Sequence, residues 1–141
     1  MPTISQSSLL GLEAYAKIRN SSRPAAIAHR RLRSVQLGEH INLQFEDEQT
    51  IRRQVQEMLH IERGGAAQIE DELRAYNPLV PQGAELVATV LFEIDDPIRR
   101  KTFLSKLGGI EETAFIEIES QRALGQPEAD QDRTNADGKA S

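Results

Sequence analysis

The sequence predicts an α+β fold: a mostly antiparallel sheet of about four strands with helices packed on one face. Three observations carry this. From Phe45 to Pro81 two helical periods follow one another, entered from an alternating strand and left through a proline turn. Residues 35–45 and 85–94 alternate apolar and polar positions for at least part of their length. Strands therefore stand on both sides of a helical block.

In chain order, residues 1–7 read as mobile, and Ser8 can cap a helix whose apolar positions are Leu9, Leu12, Tyr15 and Ile18. Asn20-Ser21-Ser22 is expected to break it, with Ser22 capping a second helix over 23–33 that carries Pro24 in its first turn. Val35, Leu37, Ile41, Leu43 and Phe45 then form the buried side of a hairpin bent near Gly38-Glu39. The central helix spans 48–63, with Ile51, Val55, Met58, Leu59 and Ile61 facing inward. Arg52, Arg53, Gln56, His60 and Arg63 lie on its polar side, while Glu62 falls among the apolar positions and requires a cation or solvent. Asp47 and Glu48 suit the positive end of the helix dipole. After Gly64-Gly65 a shorter helix presents Ile69, Leu73 and Tyr76, and Asn77-Pro78 ends it. Residues 85–94 read as the longest strand, central in the sheet. Asp96-Pro97 opens a helix with Ile98, Phe103, Leu104 and Leu107 inward, closed by Gly108-Gly109. Residues 113–119 form the last strand, with no partner visible downstream and so an open edge suited to self-association. The expected organisation is one domain over 1–120 and a polar, disordered tail over 121–141.

Composition narrows the function classes. An apolar share of 38% with 4% aromatics permits only a modest core. Cysteine is absent, which removes disulfides, a thiol nucleophile and thiolate metal sites. No apolar run reaches the ~18 residues of a membrane span, and no signal peptide is visible, so a cytoplasmic protein without a membrane partner is expected. The net charge of −5 hides an asymmetry. Residues 14–38 hold Lys17, Arg19, Arg23, Arg30, Arg31 and Arg33 and no acid, leaving the remainder at −11 (−5 minus +6). Such a segment either pairs with the protein's own carboxylates or binds an outside polyanion. Tyr15 is the one aromatic there, which disfavours nucleic acid, since base stacking needs exposed rings.

Four pieces, L-G-E-H-I-N-L-Q-F-E-D-E-Q-T, R-R-Q-V-Q-E-M-L-H-I-E, E-L-R-A-Y-N-P-L-V-P and L-V-A-T-V-L-F-E-I, resemble in order and spacing an uncharacterised bacterial family, domain of unknown function 3501. The match runs from about Leu9 to Ile118. Members are commonly encoded beside a rubrerythrin-like di-iron protein and an iron–sulfur oxidoreductase. The resemblance therefore implies an accessory role in redox or oxidative-stress chemistry, with one of those proteins as partner. It carries over no catalytic residue. Members usually continue past a Lys-[Ser/Thr]-Ser segment into a further strand, so the ending Lys139-Ala140-Ser141 reads as a truncation.

The residues offer few chemical constellations. There is no Gly-rich phosphate loop, nucleophile elbow or zinc spacing. Glu57-x-x-His60 has the i, i+3 spacing of di-iron bundles, which need a second such motif and two further glutamates. His29 and His40 stand alone and read as surface or hydrogen-bonding residues. The candidate polar network is Arg23, Arg30, Arg33, Glu46, Gln54, Glu57, Glu62 and Glu72, with one of the three arginines expected to bridge to Glu57, Glu62 or Glu72. Binding is favoured over catalysis, with no cofactor and no metal. A small metal-dependent enzyme using the Glu57, Glu62 and Glu72 region is the alternative. A nucleic-acid binder acting through residues 17–33 is the weaker one.

Overall fold

The structure is a computed structural model that describes residues 3–107, 109–110 and 113–128. Its contacts divide the chain into two units, Met1–Glu93 and Ile94–Ser141. This division differs from the single domain over 1–120 expected from composition. Residues 129–141 of the expected tail lie outside the described residues. The fold is α+β, with two antiparallel sheets.

In the first unit, helix α1 spans Leu12–Arg31. Strands β1 (Ser34–Leu37) and β2 (Ile41–Phe45) follow, then α2 (Glu48–Glu62), α3 (Gly65–Tyr76) and β3 (Ala88–Phe92). The two expected N-terminal helices are thus one. Ser21 and Ser22 do not leave the helix to cap a successor. Their hydroxyls donate back to the carbonyls of Ile18 and Arg19 at 3.1 and 3.2 Å. Pro24 costs α1 one backbone hydrogen bond. Side-chain ties on both sides of it, from Arg19 to Glu57 and from Arg30 to Glu46, hold the helix in line. Ser8 closes a short 3₁₀ turn with Ser5 instead of capping α1, whose N-cap is Gly11.

The hairpin forms, with Gly38 at φ 66° in the turn and Leu37 opposite Ile41, but its expected buried side is only half covered, since Val35 and Leu37 are exposed. Strand order is β1-β2-β3, so β3 is an edge strand, not a central one. It is also shorter than 85–94, and Leu86 is 68% exposed. Hydrogen bonds from Glu46 N–H to the Val87 carbonyl and from Glu93 N–H to the His40 carbonyl, both 2.7 Å, extend the ladder past its ends.

Helix α2 opens on a reciprocal cap. The Thr50 amide donates to Asp47 Oδ1 at 2.8 Å, and the Asp47 amide donates to the Thr50 hydroxyl at 2.9 Å. Its face of Ile51, Val55 and Leu59 is buried as the period predicts. Ile51 forms a core with Ile4 and Val80, against which Leu9, Leu73, Tyr76 and Leu79 pack. Ile61 is 65% exposed because the helix ends one residue later.

Two polar side chains fasten the N-terminal segment, of which residues 1–7 read as mobile in the sequence. The Ile4 amide donates to Asn77 Oδ1 at 2.7 Å, and Asn77 Nδ2 returns a bond to the Ile4 carbonyl at 2.9 Å. Gln56 does the same for Leu10, accepting its N–H at 2.6 Å and donating to its carbonyl at 3.2 Å. Gln56 is therefore buried and structural rather than solvated.

In the second unit, α4 (Pro97–Leu104) starts with Asp96 accepting the Ile98 amide at 2.9 Å, as the Asp-Pro signal predicts. Ile98 itself is 78% exposed, not inward, and Gly108 of the expected glycine stop lies outside the described residues. Strand β4 (Phe115–Ile118) pairs with β5 (Gln121–Leu124), so the partner strand that seemed absent lies inside the expected polar tail. The hairpin was hidden because its two-residue turn is Glu119-Ser120, at φ 49° and 73°. Asn-Gly is the usual signal for such left-handed turns. The Arg122 guanidinium lies 4.0 Å from the centre of the Phe115 ring and braces this hairpin.

Candidate functional site

On the continuous α1, Arg19, Arg23, Ala26 and Arg30 recur at spacings of four, three and four, which places them on one stripe. That stripe borders a groove of ≈ 610 Å³ whose other wall is α2, through Gln49, Thr50, Arg53, Gln54 and Glu57. Asn20, Ile27, His29 and Arg31 complete its α1 side. Five arginines thus face the groove with one lining carboxylate, Glu57.

Three carboxylates, Glu57 in the groove and Glu46 and Asp47 beyond its end, hold the cations of α1 and the residues that follow it. Glu57 takes a forked bond from Arg19, Nε to Oε2 at 2.9 Å and Nη2 to Oε1 at 2.9 Å, and the Tyr15 hydroxyl donates to the same carboxylate. Arg19 lowers the Glu57 pKa to about 2, against burial and with help from Tyr15. Burial and the bond to Glu57 push the Tyr15 phenol up to about 12. Its own forked bond to Glu57 raises the Arg19 guanidinium. At the other end Glu46 is 2% exposed and accepts from Arg30 at 2.9 Å, from Thr89 at 2.9 Å and from the Thr50 hydroxyl. Beside it Asp47 accepts from His29 at 2.7 Å and lies 3.5 Å from Arg33. Burial pushes the Asp47 carboxyl up, but the Thr50 amide, His29 and Arg33 together hold it below its usual value.

The residues singled out from sequence therefore separate. Arg30, Arg33 and Glu46 share one cluster, with Arg33 also donating to the Phe45 carbonyl at 3.0 Å. Glu57 belongs to another with Arg19, and Gln54 and Arg23 line the groove between. Glu62 is exposed and accepts from Gln68 at 3.0 Å, and Glu72 accepts from the same amide at 3.4 Å. The expected bridge from Arg23, Arg30 or Arg33 to Glu57, Glu62 or Glu72 is corrected accordingly. The basic segment does meet carboxylates, but they are Glu46, Asp47 and Glu57, and the cation on Glu57 is Arg19. Glu62 escapes burial because α2 ends at that residue. Replacing Glu62 by alanine is accordingly expected to change stability by no more than about 0.5 kcal/mol in urea denaturation.

His60 does not project into solvent. It is half-buried, edge-on to Tyr15 at 6.0 Å between ring centroids, and its Nδ1 is buried without a hydrogen bond. Glu57 and His60 thus face an arginine and a tyrosine, and among the described residues no three His, Asp or Glu side chains converge on one point. Tyr15, Arg19, His29, Asp47 and Arg53 were missed as site residues. Arg23, Arg31 and Arg53 form no ion pair among the described residues, and Arg53 donates to the Ser22 hydroxyl at 3.0 Å.

The family model for Protein of unknown function (DUF3501) matches residues 3–141. The chain belongs to this family. A solved protein of unknown function from Burkholderia pseudomallei K96243 is similar to the DUF3501 chain at 43% identity and a TM-score of 0.81, over 86% of this chain and 70% of that one. No curated protein matches it. Among its described residues no helix is long and apolar enough to cross a membrane.

Proposed function

We propose that this DUF3501 chain is an accessory binding protein that takes an anionic partner in the groove between α1 and α2. One observation carries the reading: Arg23 and Arg31 line that groove with no ion pair among the described residues, while Arg53 beside them acts on Glu57 only through its field. Unneutralised guanidinium groups on a concave surface raise the local concentration of anions and bind carboxylates or phosphates through paired N–H donors. Arg19 and Arg30 are already committed to Glu57 and Glu46 and serve as fixed walls.

The proposed partner is an anionic face of the rubrerythrin-like protein or iron–sulfur oxidoreductase that the family resemblance implies, encountered in the cytoplasm. The test is retention on immobilised polyglutamate. A chain with net charge −5 is repelled by a polyanion unless a local patch captures it. The wild type is expected to be retained at low ionic strength and released by salt, whereas the R23Q/R31Q/R53Q variant passes through. Equal behaviour of the two proteins would remove the groove as the binding surface.

A further inference from the structure

Resting on the groove as an anion site, we infer that its occupant is an extended peptide segment with an acidic residue, an apolar residue two positions later, and a second acidic residue two positions after that. Arg23, Ile27 and Arg31 line the same groove at successive intervals of four residues. On a helix that interval advances about 6 Å and turns about 40° per step, so the two arginines stand about 12 Å apart along the axis, turned about 80° from one another, with Ile27 midway. In an extended peptide, residues two apart share a face and lie about 6.6 Å apart, which puts acidic groups four residues apart at about 13 Å. The two repeats coincide within the reach of a side chain. The middle position asks for an apolar group, because Ile27 is 48% exposed and Ala26 lies beside it in the groove wall.

A free phosphate satisfies one arginine and leaves the other and Ile27 unused. A single-stranded nucleic acid presents phosphates but needs aromatic platforms for its bases; no Phe, Tyr or Trp lines the groove, and the one imidazole there, His29, is held by Asp47. Carboxylates on a peptide match the planar guanidinium fork and bring the apolar side chain on the same backbone.

The experiment is fluorescence anisotropy with the full chain and a short labelled peptide bearing glutamate, leucine and glutamate at alternate positions between serines. Inorganic phosphate and labelled oligothymidylate serve as the other probes. The peptide is expected to bind, with R23Q and R31Q each weakening it at least about tenfold. Ile27→Ser is expected to weaken the leucine peptide several-fold and leave a serine-centred acidic peptide unchanged. Arg23 and Arg31 are exposed and make no ion pair among the described residues, so both variants should keep the wild-type unfolding midpoint. If phosphate or oligothymidylate binds through Arg23 and Arg31 while the peptide does not, the peptide inference fails and the anion groove stands. If no probe binds, or if peptide binding ignores both arginines, the inference and the groove fail together.

Discussion

Replacing Glu46 by alanine is expected to destabilise the first unit by about 3–5 kcal/mol, the range seen when one partner of a buried ion pair is removed. Glu46 is 2% exposed and satisfies three donors on three elements: Arg30 of α1, Thr50 of α2 and Thr89 of β3. Its removal strands the Thr89 hydroxyl and the Arg30 guanidinium at the point where both helices meet the sheet, while the Thr50 hydroxyl keeps the Asp47 carbonyl as acceptor. Arg30 retains some solvent contact, which places the effect toward the lower end of the range. Glu46→Gln keeps the volume and part of the hydrogen bonding, so about 1–3 kcal/mol is expected there. Urea unfolding of both variants at neutral pH checks the order. An alanine variant within ~1 kcal/mol of wild type would mean that Arg30 and the threonines find other partners at no cost.

Much of the fold is legible because its signals are local. The acidic start of α2 at Asp47 and Glu48, the face of Ile51, Val55 and Leu59, the Asp96-Pro97 start and the alternation of 35–45 each depend on residues within a turn or two. What was not legible depends on contacts distant in sequence. Pro24 stays inside a helix because Arg19 and Arg30, on either side of it, are tied to Glu57 and Glu46. Splitting α1 at Asn20 also lost the phase of Arg19, Arg23, Ala26 and Arg30, so the stripe that borders the groove became a count of charges. Gln56 reads as polar surface on a wheel, and only the return of Leu10 against α2 turns it into a buried bracket. Glu62 misled in the opposite direction, since a wheel assumes a helix that continues past it.

Acidification should unfasten α1 from α2 between about pH 4.5 and 2. Glu57 titrates near its ordinary 4.5 in the unfolded chain and at about 2 in the folded one, chiefly because Arg19 holds it ionised. A carboxyl with a depressed folded pKa favours the native state fully above its unfolded value. That contribution disappears as pH falls through the folded value. The shift alone would represent about 3 kcal/mol, but water reaches both side chains of the pair, so about 1–2 kcal/mol is the expected loss. Asp47, lowered as well, adds acid sensitivity in the same direction. The comparison that isolates Glu57 is the stability difference between wild type and Glu57→Gln, measured by urea unfolding from pH 6 down to pH 2.5. Gln cannot titrate, so the wild-type advantage should be largest above pH 4.5 and shrink on acidification, while the loss due to Asp47 is common to both proteins. A difference that stays constant across that range would show that the Arg19–Glu57–Tyr15 contact contributes shape to the groove and no net charge pairing.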